Sequence, residues 1–169
     1  MAANMPAKNP ATPSLMDGIR LAKENEKTAA DFYAKAATTA GNSRARKLFE
    51  QLTEFEQIHY DRLTALETSL IDKGAFIHYG GTEFVMPPDL AIRMPELPDQ
   101  VSIMKIINEA VDLETRAESS YNKLAAMTTD KEGHDMFARL AEEEHKHFLI
   151  LKEVFWTLNN LGEWSGPSR

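Results

Sequence analysis

Residues 15–63 align without a gap on residues 103–151, and 14 of the 49 paired positions are identical, where ordinary composition would give roughly three. Phe49, Leu52, Glu56 and His59 return as Phe137, Leu140, Glu144 and His147, and Ala22, Glu26, Ala29 and Tyr33 return as Ala110, Glu114, Ala117 and Tyr121. The chain is an internal duplication, two copies of one unit at a constant offset. What repeats is not only apolar: Glu, then Glu-x-x-His, recurs with its spacing intact. That combination is the signature of a two-metal site.

Each copy reads as a pair of helices. Leu15, Ile19, Ala22, Glu26, Ala29, Tyr33 and Ala37 recur at three- and four-residue steps, which predicts a helix over about 13–40. Thr12-Pro13 reads as its cap and first turn. After Gly41-Asn42-Ser43 a second helix is expected over about 43–72, with Leu48, Phe49, Leu52, Phe55, Glu56, His59, Leu63 and Leu66 on its inner stripe and Gly74 near its end. The second copy predicts helices over about 99–127, opened by Asp99, and about 131–160, capped at Thr128-Thr129-Asp130 and stopped by Gly162. Residues 1–12 read as a disordered lead, and 163–169 as a tail too short for a fifth helix.

Between the copies, residues 73–98 lose the helical period and carry Gly80-Gly81, Pro87-Pro88, Pro95 and Pro98. At ~3.3 Å per residue such a segment can run the length of a bundle. It would join two parallel helices, which a short turn cannot do. The fold class is therefore all-α: a four-helix bundle of two αα-hairpins joined by a long crossover. His78 and Tyr79 lie in the crossover and are assigned to surface or packing.

In Glu56-x-x-His59 and Glu144-x-x-His147 the two side chains lie three positions apart, so both can point at one metal from the same helix face. Phe49, Leu52 and Leu63, like Phe137, Leu140 and Leu151, put that face toward the core. Burying a carboxylate and an imidazole there is costly unless something neutralises them. Glu26 and Glu114 occupy matched contexts of small residues on the other two helices, which leaves space for ions. Tyr33 and Tyr121 return to the same face two turns on, where their hydroxyls could bond the ligand carboxylates or merely pack. Glu24, Glu54, Glu142 and Glu143 are assigned to the solvated face, His145 is expected exposed, His134 has no assigned partner, and the methionines read as core filler.

Composition enters mainly by exclusion. No cysteine is present, which removes disulfides, thiol catalysis and thiolate metal sites. A net charge of −7 with no basic stripe argues against nucleic acid as a partner. No stretch approaches the ~20 apolar residues of a membrane span, and the N-terminus lacks the apolar region of a secretory signal. A cytoplasmic location without membrane contact is the expectation.

At these residues the chain resembles the ferritin-like superfamily of di-iron carboxylate proteins, and most closely the rubrerythrin-type members, over about residues 13–160. The resemblance implies six ligands to two iron ions, with Mn or Zn as possible substitutes: Glu26, Glu56, His59, Glu114, Glu144 and His147. It further implies that Glu56 and Glu144 bridge the metals. Full-length rubrerythrins add a cysteine-bearing rubredoxin domain, and this sequence holds no cysteine. Electrons would then come from a separate donor protein. Ala117 stands where rubrerythrins carry an extra Glu, and Gln57 where bacterioferritin has its haem-ligating methionine.

The function implied is a non-haem di-iron oxidoreductase of ferroxidase or peroxidase type, oxidising Fe(II) or reducing H2O2 or O2 at a site of four Glu and two His, with a role in oxidative stress and a homodimeric state by analogy. Two other readings stand beside it. One is an iron-binding or storage module without turnover; the other is a di-iron oxygenase acting on an organic substrate.

Overall fold

The computed structural model describes residues 14–41, 43–84, 92–93, 100–160 and 163–164. Four long helices account for most of them: α1 Leu15–Thr39, α2 Ser43–Lys73, α3 Gln100–Met127 and α4 Lys131–Asn160. The cap of α1 is Ser14, two residues beyond the expected Thr12. Its hydroxyl accepts from the Asp17 backbone N–H at 3.1 Å, and the Asp17 carboxylate accepts from the Ser14 N–H at 3.1 Å. This reciprocal pair satisfies two donors that a helix start leaves orphaned, and Thr12 could not form it because Leu15, three residues on, has no side-chain acceptor. Gly74 ends α2 at φ 64°, its N–H donating to the Leu70 carbonyl at 3.1 Å. A left-handed residue there closes the helix end at low steric cost. Asp130 caps α4 by accepting from the Gly133 N–H at 3.0 Å.

The expected lead at 1–12, the Asp99 cap, the Gly162 stop and most of the tail lie outside the described residues, as does the middle of the crossover. Two short strands were not anticipated. β1 Ile92–Arg93 pairs antiparallel with β2 Glu163–Trp164, in the register Ile92 to Trp164 and Arg93 to Glu163. Among the described residues no helix is long and apolar enough to cross a membrane.

Within each hairpin the helices run antiparallel; Arg20 and Lys23 of α1 both meet Glu67 of α2 at 2.7 Å. Across the bundle, Tyr33 meets Glu114 while Tyr121 meets Glu26, so α1 and α3 are also antiparallel. The helices that the crossover joins, α2 and α3, therefore run the same way.

The core is split in two. At one end Tyr33, Leu48, Phe49, Leu52, Ile103, Ile107, Leu151 and Val154 pack together; at the other, Ile19, Leu63, Leu66, Tyr121, Leu124, Met136, Phe137 and Leu140. Each fully buried side chain of this size stabilises by about 1.5–3 kcal/mol relative to exposure. Between the two apolar blocks lies a layer of buried polar groups. Met136 belongs to the core as expected of methionine, but Met127 is exposed at the end of α3.

Candidate di-metal site

That middle layer holds Glu26, Glu56, His59, Glu114, Glu144 and His147, none more than 2 % exposed. Their donor atoms form two groups of four, Glu26, Glu56, His59 and Glu144, and Glu56, Glu114, Glu144 and His147, with the atoms of each group within 4.8 Å of one another. Glu56 and Glu144 belong to both groups, which makes them the pair able to bridge two ions. The six residues come one or two from each helix: Glu26 from α1, Glu56 and His59 from α2, Glu114 from α3, Glu144 and His147 from α4.

The polar atoms of the layer are poorly satisfied by one another. Glu56 Oε1, both oxygens of Glu144, and the Nδ1 atoms of His59 and His147 are buried without a hydrogen-bond partner. His59 Nδ1 comes within 2.7 Å of Glu144 Oε1, yet without hydrogen-bond geometry. His147 Nδ1 lies 3.4–3.5 Å from Glu56, Glu114 and Glu144. A buried polar group left unpaired costs about 1–3 kcal/mol, and these five atoms all belong to the two donor groups, so they fit the role of metal ligands. Hard carboxylates with imidazole suit Fe(II), Mn(II) or Zn(II).

Protons can stand in for metal. Burial, then the charge of Glu144, holds the Glu26 carboxyl well above the usual range, and burial with Glu56 does the same for Glu114. Burial alone would depress both histidines, but the surrounding carboxylates, Glu144 for His59 and Glu114 for His147, push them well above theirs. Against burial, and for Glu56 also against the charge of Glu144, both carboxyls are held low by the two histidines. With Glu26 and Glu114 protonated and both imidazoles charged, the six side chains would carry no net charge. Two divalent cations replacing four protons would leave it unchanged.

Both tyrosines bond to ligand-type carboxylates. The Tyr33 hydroxyl donates to Glu114 and the Tyr121 hydroxyl to Glu26. Glu24, Glu54 and Glu142 are exposed, as are His134 and His145, which face Asp135 and Glu118. His78 is exposed beside Glu132 at 3.2 Å.

Glu143 corrects the sequence reading. It is 2 % exposed, not solvated. His59 Nε2 donates to its Oε2 at 2.9 Å, the Tyr79 hydroxyl to the same oxygen at 2.6 Å, and the Thr82 backbone N–H to Oε1 at 2.6 Å. Although burial raises it, those donors hold its pKa below the ordinary value. Tyr79 is thus more than a packing residue; burial and Glu143 raise its hydroxyl to about 12. Gly81, at φ 86°, makes the close approach possible: a Cβ there would lie 2.1 Å from Arg139 Nε and 2.7 Å from Glu143 Oε1. A signal for Glu143 was available, since its repeat partner is Phe55, already placed on the inner stripe.

A cavity of about 260 Å³ reaches Glu26, Glu56, Glu114 and Glu144 from the α1–α3 side, past Ala29 and Ala117. The opposite, α2–α4 side is covered by the start of the crossover: Tyr79 and Thr82 over Glu143, and Phe84 against Phe55 and His147 at 5.1 and 5.8 Å between ring centroids.

The rubrerythrin family model matches residues 6–67, which spans α1 and most of α2. No curated protein matches the sequence. Among solved structures, a hypothetical protein from Pyrococcus furiosus superposes with a TM-score of 0.69 at 24 % identity, covering 87 % of this chain and 91 % of that one. A two-domain protein from Anabaena variabilis, with DJ-1/ThiJ/PfpI-like and ferritin-like domains, gives a TM-score of 0.63 at 18 % identity. That match covers 100 % of this chain and 48 % of the other, so this chain spans about half its length. The rubrerythrin match falls on the first hairpin, the ferritin-like neighbour covers the whole bundle, and the Glu and Glu-x-x-His pattern recurs in the hairpin that the match does not reach; the chain has a ferritin-like helical-bundle fold and is similar to rubrerythrin over its first hairpin.

Proposed function

We propose that this chain is a non-haem di-iron oxidoreductase that reduces peroxide or O2 at the six-residue layer. The observation that carries the reading is the pair of overlapping donor groups sharing Glu56 and Glu144, with buried donor atoms lacking partners. Two ferrous ions held there would supply the two electrons that, with two protons, turn one H2O2 into two waters.

The protein's own share of the work is positioning and access. Tyr33 and Tyr121 fix the outer carboxylates, Glu114 and Glu26, by hydrogen bonds from hydroxyls that burial keeps protonated. Both apolar blocks keep bulk water from the layer along the bundle axis. Ala29 and Ala117 leave the opening that a molecule as small as peroxide or O2 needs. A full turnover also needs two electrons to return the ferric pair to the ferrous state, which a separate donor protein would supply.

Anaerobic titration of the metal-free protein with Fe(II), followed by mixing with H2O2 or O2, tests the reading. Two irons per chain and prompt growth of the absorbance of an oxo-bridged ferric pair are expected, and the faster oxidant identifies the substrate. Failure to take up two ions, or a bound ferrous pair inert to both oxidants, overturns it. A large hollow assembly that accumulates many irons per chain would favour storage instead.

A further inference from the structure

The duplication predicts two equivalent halves of the site, and one position breaks the equivalence. His59 and His147 are repeat partners, and so are Phe55 and Glu143. Around His59 the outward nitrogen, Nε2, meets the carboxylate of Glu143 at 2.9 Å. Around His147 the corresponding neighbour is the phenyl ring of Phe55, 5.2 Å between centroids, backed by Phe84 at 5.8 Å. One histidine is held by a buried anion and the other by aromatic packing.

The difference bears on metal binding through elementary chemistry. A carboxylate that accepts from one imidazole nitrogen fixes the tautomer, aims the other nitrogen's lone pair and raises its basicity. His59 Nδ1 is the nitrogen that faces Glu144, Glu56 and Glu26. Glu143 also adds a negative charge to that half alone. It is itself clamped by the crossover, through Tyr79 and the Thr82 N–H, so it cannot turn away without moving that segment.

We infer that Glu143 is a positioning residue that makes the two metal subsites unequal, so that the Glu26/His59 subsite binds its ion more tightly and fills before the Glu114/His147 subsite. The inference rests on the reading of the layer as a two-metal site. It adds an order of filling, and it ties the tighter subsite to the crossover.

Anaerobic titration of the full metal-free chain with Co(II), followed by calorimetry and by the visible absorbance of the bound ion, tests it. The wild type should take up two ions in two resolved steps. Glu143→Gln keeps the side-chain size and removes the charge; it should weaken the first step by about 10–100-fold and leave the second unchanged, drawing the two together. Tyr79→Phe, which removes one hydrogen bond to Glu143 and keeps its charge, should move the first step the same way by less. It carries the test if Glu143→Gln does not fold, as judged by circular dichroism. His147→Ala should keep the tight step and His59→Ala should lose it. Two ions bound with equal affinity by the wild type, or equal weakening of both steps in Glu143→Gln, overturns the inference and leaves the two-metal reading standing. No stoichiometric uptake by the wild type overturns both.

Discussion

Tyr33 and Glu114 stand 81 positions apart in the chain and share a hydrogen bond at the centre of the bundle. Its repeat image is Tyr121 with Glu26. Each bond crosses from one hairpin to the other, so the pair ties α1 to α3 on both flanks of the polar layer. Tyr33→Phe and Tyr121→Phe keep the rings and remove only the hydroxyls. Each should cost about 1–3 kcal/mol, and the two losses should be similar because the contacts are related by the duplication. Urea unfolding of the metal-free protein measures both; a negligible loss in either would mean that ring packing is its whole contribution.

Removing the shared carboxylates should be decisive for binding. Glu56→Ala combined with Glu144→Ala takes one donor pair from both groups at once, and uptake of two ions should disappear. Glu142→Ala, two residues from Glu144 but exposed, should leave uptake intact. Metal content by elemental analysis after dialysis distinguishes them, and retained stoichiometry in the double variant would rule out the ligand assignment.

Metal uptake should release protons. Glu26 and Glu114 have carboxyls raised by burial, and His59 and His147 have imidazoles raised by their carboxylate neighbours, so all four hold protons in the metal-free layer at mildly acid pH. Binding two divalent ions should release about four protons per chain there, and affinity should rise with pH as the competition from protons fades. A weakly buffered indicator dye reads the release directly.

The same raised groups set the pH dependence of the metal-free fold. Above the ordinary carboxylate range the unfolded chain loses the Glu26 and Glu114 protons that the folded chain keeps, and above the ordinary histidine range the same holds for His59 and His147. Stability from the two histidines is full below their unfolded pKa and declines as pH rises toward the folded one. The melting temperature without metal should therefore fall from about pH 5 upward. Saturating metal should raise it and flatten the slope, since the ions take the protons' place. A metal-free melting temperature that climbs across this range would contradict the assigned protonation of the layer.

Access can be tested by size alone. Ala117 lines the cavity beside Glu114, and Ala117→Leu should narrow it while remaining compatible with a helix. Oxidation of a preloaded ferrous protein by H2O2 should slow, with two-ion uptake preserved. An unchanged rate would place the entry route elsewhere.

Much of this architecture was legible in the sequence because its constraints are periodic. Glu56 and His59 must share a helix face, Phe49, Leu52 and Leu63 show which face turns inward, and a second copy at constant offset repeats the demand. Glu143 was not legible in the same way. It sits in the acidic run Glu142-Glu143-Glu144, where composition suggests a solvated surface and each step turns the helix by about 100°. What buries it is the crossover, an aperiodic segment whose path depends on Gly81, Tyr79 and Thr82 meeting α4 at long range. Local pattern says little about such a path. The paired β1 and β2 segments are illegible for a related reason, being two residues long and separated in the chain by the whole of α3 and α4.

The split of the six donor residues between the two hairpins has a consequence for ancestry and design. Each hairpin carries two glutamates and one histidine, half of what the layer contains, so a lone copy could complete a site only by pairing with its twin around a true two-fold axis. In such a pair every substitution appears twice. Joining the copies into one polypeptide lifts that restriction: position 55 can be phenylalanine while its counterpart at 143 is glutamate. The crossover is therefore also what allows a symmetric site to become handed, with one ion's surroundings free to change without the other's.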